Sequence, residues 1–483
     1  MQICVFFRTF APNMQTILAI LTVFFLQFTD KVGSERLCLS ELAIQMREQR
    51  GIAIDSLDYE VSPIYLDSVR AMGAKVLHTS RWLNAATVQM PSSHASALHQ
   101  CSFIQAIELT RGAKDSVDIS SISLRKHAAN SSTPSDPSPL LSEAQHSVYN
   151  LLPLHQAGYK GKGIRIGLAD GGFYNADSLS SLPLDQWLGY ADFTDDEDDF
   201  FGITGNHGTL CLTSIMAQSD GYQGAATEAE YFLFRTEEQN TESPKEIDNW
   251  VAAIEMADSM GLHIVSTSLG YTTFDNKEYN LSYADMDGRT SHGAQAALIA
   301  ARKGMLLVIA MGNDGNKDWH YLSTPADADS ILAVGAVDIF RSIANFSSFG
   351  PSADGRVKPE VCAVGKQTAL IDPNNGWVIN SNGTSFACPL LAGMAACLWS
   401  ALPNATNMEI RERIIRSADK YAQPHEQYGY GIPDAWLAYT MHSTTHLFDM
   451  MDEQRPKKFW KNGHMYILHN EQTYDLLGNK IAK

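Results

Sequence analysis

The chain has 483 residues, with 54 acidic side chains against 36 basic ones and a formal net charge of −18. An acidic balance of this size lacks the basic stripe that nucleic-acid binding calls for, and it mainly serves solubility. No HExxH and no paired CxxC motif is present, so the sequence carries no zinc signature of either kind.

Residues 1–30 read as a signal peptide. Arg8 precedes an apolar run from Ile17 to Phe28, about 12 residues, which is long enough for an export leader and too short to span a bilayer. The expected cut falls near Thr29–Gly33. No later segment reads as a transmembrane span, and the protein is expected to be exported: secreted, periplasmic or cell-surface.

Residues 31–113 have their own pattern. Tyr65–Met72 and Ala95–Gln100 are helix-like, while Lys75–His78, Ala86–Met90 and Phe103–Leu109 are strand-like, which predicts a small α+β module. Residues 114–140, with the stretch Ser131-Ser132-Thr133-Pro134-Ser135-Asp136-Pro137-Ser138-Pro139, read as a flexible linker. Residues 141–441 alternate strands (164–169, 263–267, 305–310, 331–337) with helices (208–217, 247–260, 291–303, 385–400). Such alternation predicts an α/β fold with a mostly parallel central sheet between two helical layers, and about 300 residues suffice for one large core. In the remaining tail, 442–483, Gly463–Leu468 and Tyr474–Ile481 read as two short strands about a turn; the segment resembles C-terminal sorting tails of some exported Gram-negative proteins.

Three segments carry chemistry. The buried-type strand Ile164-Arg165-Ile166-Gly167-Leu168-Ala169 stops at Asp170-Gly171-Gly172, which places a carboxylate at a strand end. Gly205-Asn206-His207-Gly208-Thr209 sets an imidazole where a loop turns into an apolar helix. Gly383-Thr384-Ser385-Phe386-Ala387-Cys388-Pro389 sets a small hydroxyl at the start of an Ala-rich helix. Asp, His and Ser in this chain order match one of the unrelated orders in which the same triad recurs. Taken singly, each is as readily a turn or cap residue as a functional one.

Together these segments resemble the subtilisin-like serine proteases, the subtilases of peptidase family S8, in which D-x-G, H-G-T and G-T-S-x-A-x-P segments carry the triad. The resemblance covers about 300 residues. Val308-Ile309-Ala310-Met311-Gly312-Asn313 is similar to the segment whose Asn completes the family's oxyanion hole, and Ser268-Leu269-Gly270 to its substrate-pairing strand. It implies an exported serine endopeptidase that forms an acyl-enzyme, with Asp170, His207 and Ser385 as triad and Asn313 as oxyanion donor. Substrate contacts would come from Ser268, Leu269, Gly270, Met311 and Gly312. Met311 near the pocket wall suggests an apolar P1 preference. The α+β module corresponds to a prodomain acting as the enzyme's own inhibitor, and the other partners are polypeptide substrates of a monomer. No cofactor is required; structural Ca2+ is common in the family, and Asp195-Asp196-Glu197-Asp198-Asp199 is a candidate for it, though a solvated loop suits the run better. The rival reading is an inactive scaffold of this fold serving as a binding or surface protein.

Two departures from the family pattern stand out. Gly171 takes a place where Ser or Thr often follows the Asp, and Cys388 takes that of the usual Ala before Pro389, itself read as a first-turn proline. Cys4 falls in the leader, and Cys38, Cys101, Cys211, Cys362, Cys388 and Cys397 allow fifteen pairings or none.

Overall fold

The structure, a computed structural model, describes residues 21–112, 140–194, 199–202 and 205–441, together with tail strands at 457–461, 464–469, 472–474 and 480–481. The first module is a four-stranded antiparallel sheet with accompanying helices. Its elements are β1 (Leu21–Phe28), α1 (Glu41–Gln49), α2 (Pro63–Ala71), β2 (Lys75–Ser80), β3 (Ala85–Pro91), α3 (Ala95–Leu98) and β4 (Ile104–Arg111), with strand order β2-β3-β1-β4.

The strand β1 corrects the expected leader boundary at residue 30. Leu21–Phe28 is a central strand of this sheet, so a cut after residue 30 would remove it. Leu26 and Phe28 pack with Val61, Val69, Ala86 and Leu98 inside the module, whereas Phe25 points into the core of the larger domain beside Trp250 and Ala297. A strand buried on both faces needs a continuous apolar run, and such a run looks like the core of an export leader.

The larger domain begins with α4 (Leu140–Val148) and α5 (Leu152–Gln156), one residue into the expected linker; residues 114–139 lie outside the described residues. There follow β5 (Arg165–Asp170), β6 (Trp187–Asp192), α6 (His207–Met216), the short pair β7 (Gln218–Ser219) and β8 (Tyr222–Gln223), β9 (Glu230–Arg235), α7 (Lys245–Met260) and β10 (Ile264–Thr267). The second half comprises α8 (His292–Arg302), β11 (Leu306–Ala310), β12 (Leu332–Val337), β13 (Val361–Val364), the hairpin β14 (Thr368–Ile371) and β15 (Val378–Ser381), α9 (Thr384–Ala401), α10 (Asn407–Arg416) and α11 (Ala435–Thr440). Seven strands form one parallel sheet in the order β13-β12-β11-β10-β5-β9-β6. Alternate residues serve opposite faces. Leu306, Val308 and Val334 meet α6, α9 and α10, whereas Leu307, Ile309 and Ala333 meet α7 and α8.

Among the described residues α9 is the one helix long and apolar enough to cross a membrane, a property the sequence reading did not credit to it. Its most apolar window is 89% buried inside the domain, as expected for a core helix that is hydrophobic all round.

The module's sheet lies on α7 and α8 through a buried ionic cluster. Arg47 reaches both oxygens of Asp258 at 2.8 and 2.7 Å and Asp58 at 2.7 Å, and Arg81 reaches Asp258 at 2.7 Å. Glu255 accepts from the backbone N–H of Arg81 and of Trp82, and Lys303 joins Asp55 and Asp58. Nearby, His292 bridges Asp248 at 3.1 Å and Glu108 at 3.4 Å under the ring of Phe25. Burial disfavours the charged imidazole, but the bonds to Asp248 and Glu108 outweigh that and raise its pKa to about 10.

The tail is a separate unit, residues 440–483. Instead of two strands it forms a four-stranded antiparallel meander, β16 (Lys457–Lys461), β17 (His464–His469), β18 (Gln472–Tyr474) and β19 (Lys480–Ile481).

Candidate active site

The carboxyl ends of β5, β10 and β11 meet the amino ends of α6 and α9 at one edge of the parallel sheet, the place where open α/β sheets bind ligands. Asp170 ends β5 and is buried. His207 opens α6, and its Nδ1 lies 2.8 and 3.0 Å from the two Asp170 oxygens. With Asp170 ionised, only an Nδ1–H satisfies both distances, so the neutral ring keeps its basic lone pair on Nε2. Gly208 allows this approach: its N–H donates to the Gly172 carbonyl at 2.9 Å, and a methyl there would collide with that carbonyl and with the Asp170 Cβ. The Gly171 N–H donates to Asp170 at 2.8 Å, steadying the carboxylate where a Ser or Thr hydroxyl is missing.

Ser385 is the second residue of α9. Pro389 is the sixth residue and lies in the second turn, which corrects its placement in the first. A proline there cannot donate to the carbonyl four residues back, which belongs to Ser385. Two side chains take up that freed carbonyl, Ser268 Oγ at 2.7 Å and Cys211 Sγ at 3.3 Å. Cys211 stands one turn beyond His207 on α6, 4.0 Å from Nδ1, and so touches both sides of the site. The Ser385 hydroxyl donates to the Ser268 carbonyl at 3.4 Å.

Asn313 follows β11, and its Oδ1 accepts from the Thr384 N–H at 2.9 Å and from the Thr384 hydroxyl at 3.1 Å. The backbone donor fixes which end of the amide is oxygen, so Nδ2 is the end left to donate elsewhere. It also satisfies one of the N–H groups that a helix start leaves without an intrahelical partner.

Burial works against a charged His207, yet the Asp170 carboxylate, helped by Cys211, outweighs it and holds the pKa well above the usual imidazole value. Burial pushes the Cys388 thiol up to about 12, and its sulfur lies against the carbonyls of Thr267 and Val308, as befits a small buried hydrophobe. All six cysteines from Cys38 to Cys397 are free thiols.

The structure thus joins Asp170 to His207 and links Ser385 to Ser268 and Cys211, with Asn313 beside Thr384. Ser268 and Leu269 are buried next to Gly270, and Gly312 donates to Thr384 Oγ1 at 3.3 Å. Met311 departs from expectation. It is fully buried in the core under α7 and α8, because its side chain falls on the helix-facing side of the chain. Of the acidic run at 195–199 only Asp199 lies within the described residues, where it accepts from the Phe201 N–H. Sequence reasoning missed Cys211, whose contacts with both sides of the site follow from the helical spacing His207 to Cys211.

These features define an α/β serine peptidase class, with an Asp–His pair and a helix-start Ser on a parallel sheet. Residues 161–431 match the subtilase family model, and the chain belongs to that family. Residues 23–128 match the peptidase S8 propeptide domain of Bacteroidota, which agrees with β1 being part of that module. A thermostable alkaline protease of Halalkalibacterium halodurans is 30% identical over 60% of this chain and 72% of its own. Subtilisin DY of Bacillus licheniformis is 30% identical over 57% of this chain and 90% of its own, and serine protease AprX of Bacillus subtilis 26% identical over 71% and 76%. The solved MycP3 protease of a type VII secretion system shares the fold, with a TM-score of 0.51 at 20% identity, covering 66% of this chain and 94% of that one. The protein is accordingly a serine endopeptidase with its own propeptide domain.

Proposed function

We propose that Ser385 attacks the scissile carbonyl while His207 Nε2 takes its proton, and that Asp170 holds the ring in the Nδ1–H tautomer and stabilises the imidazolium. The tetrahedral oxyanion is received by the Asn313 Nδ2 and the Ser385 backbone N–H at the start of α9. His207 then gives its proton to the leaving amine, and water hydrolyses the acyl-enzyme by the same route. The observation that carries this reading is the Asp170–His207 hydrogen bond at the sheet's carboxyl edge, with Cys211 touching both that pair and the Ser385 carbonyl. Every step is supplied by the chain's own groups, so the chemistry calls for no metal. Export of the precursor, and inhibition of the cleft by the propeptide until the 114–140 segment is cut, complete the reading.

Two results are expected. The base must be neutral, and the neighbouring Asp170 favours the charged ring, so kcat/KM falls as pH drops through a pKa above the ordinary imidazole value of about 6.5. A profile flat from about pH 8 to about pH 5 contradicts that assignment. Asn313→Ala lowers kcat by about 10²–10³ with KM little changed, the scale known for this donor in subtilisin itself; steady-state kinetics on a peptide substrate check it, and a loss confined to KM contradicts it.

A further inference from the structure

His292, the first residue of α8, is held between carboxylates from two different parts of the chain. Its Nδ1 lies 3.1 Å from Asp248 on α7, and its Nε2 lies 3.4 Å from Glu108 on the propeptide strand β4. A neutral imidazole has one N–H, so one of these carboxylates would face a lone pair; only the doubly protonated ring donates to both. The propeptide encloses the ring from two further strands. Phe25 of β1 lies over it at a centroid distance of 3.9 Å, and Thr87 of β3 donates to the second Asp248 oxygen at 3.1 Å. Among the described residues the charged groups that meet the ring are therefore Asp248 and Glu108, while β1 and β3 bring an aromatic ring and a hydroxyl. The start of α8 itself works against a positive charge, because the helix dipole is positive there.

We propose that His292 is a proton-dependent clasp for the propeptide, holding it after the connecting segment has been cut and letting it go as the medium turns alkaline. Burial disfavours the charged ring, but with the propeptide seated the two carboxylates outweigh it and raise the pKa to about 10. Departure removes Glu108, Phe25 and Thr87 together and opens the Asp248 pair to water, where it is screened. Opposed by the helix start, the ring then returns towards its ordinary value of about 6.5. Seating thus raises the pKa, so the stabilisation is fully present below about pH 6.5 and is lost as pH rises through about 10. One proton taken up on seating changes the affinity by up to about tenfold per pH unit within that window. The clasp goes beyond the proposed reaction, since it needs the 114–140 segment to be cut but not Ser385 to cut it.

The test uses the full-length Ser385→Ala precursor with a recognition site for a sequence-specific protease placed in the 114–140 segment, so that the nick is independent of the enzyme's own activity. The nicked complex is tethered through its catalytic part, and release of the propeptide is timed. Release is expected to be at least about tenfold faster at about pH 9 than at about pH 7. His292→Gln keeps a donor for one carboxylate and carries no charge, so it should release quickly at both values, with a ratio of about one. Glu108→Gln, which leaves α8 untouched, should lower the ratio towards the same value. The Glu108 side chain is 58% exposed, so this substitution costs the fold little and decides the matter even where the His292 variant folds poorly. Release that is no faster at the higher pH, or absent at both, or a ratio that Glu108→Gln leaves unchanged, overturns the inference.

Discussion

Ser385→Ala is expected to lower kcat on casein and on peptide substrates by about a million-fold, the loss known for removal of the nucleophile in subtilisin, a member of this family. The reason is that no other group in the site can replace it. The Ser268 hydroxyl is committed to the Ser385 carbonyl, and burial raises the pKa of Cys211 despite the nearby His207, so it is held as a thiol. Binding should persist, because the Asn313 amide and both pocket segments are untouched, and the residual rate over water should reflect them alone. The same substitution should leave the propeptide attached, since its cleavage depends on the same site; mass spectrometry of the purified chain reads both effects. A variant that digests casein at the wild-type rate would return the molecule to the rival reading, an inactive scaffold with a contaminating activity.

The second large effect concerns the seat of the propeptide on α7. In Asp258→Ala, Arg47 and Arg81 lose a shared carboxylate that both approach within 2.8 Å, and neither guanidinium has water to turn to. Breaking a buried ion pair from one side typically costs about 3–5 kcal/mol, whereas exchanging all partners for apolar side chains is often close to neutral. The expected result is a lower thermal midpoint for the precursor carrying Asp258→Ala, measured in the Ser385→Ala background so that self-cleavage does not intervene. The triple variant Arg47→Met, Arg81→Leu, Asp258→Leu should not recover the loss, because it takes from buried Asp58 and Glu255 the arginines they pair with. An Asp258→Ala precursor as stable as its parent would show that the cluster contributes nothing to docking.

What the sequence disclosed follows from the range of the interactions. The segments 164–170, 205–209 and 383–389 are legible because each puts its functional residue at the end of a single element, with its glycines and apolar run beside it in the chain. The helices α6, α7, α8 and α9 fall within two residues of expectation for the same reason, as does the order α2, β2, β3, α3 and β4 in the propeptide. The apolar run at β1 was misread because a two-face-buried strand and a leader core share one pattern. The strands β6, β9 and β13 were not anticipated: β13 has only four residues, and β6 is an edge strand interrupted by Gly189 at positive φ. The approach of Ser323 to Gly270 and Gly312 was illegible on other grounds, since only the folded chain brings them together. Met311 failed in the opposite sense, because adjacency in sequence to Gly312 says nothing about which face of the sheet a side chain takes.

Activation of Ser385 by His207 is the step on which the whole proposed mechanism depends. It is tested most directly by treating the matured protein with a fluorophosphonate and locating the adduct by peptide mass spectrometry. One adduct is expected, on Ser385, formed rapidly in wild type and suppressed in His207→Ala. An adduct on another residue, or one that forms on Ser385 as fast without His207 as with it, would contradict it.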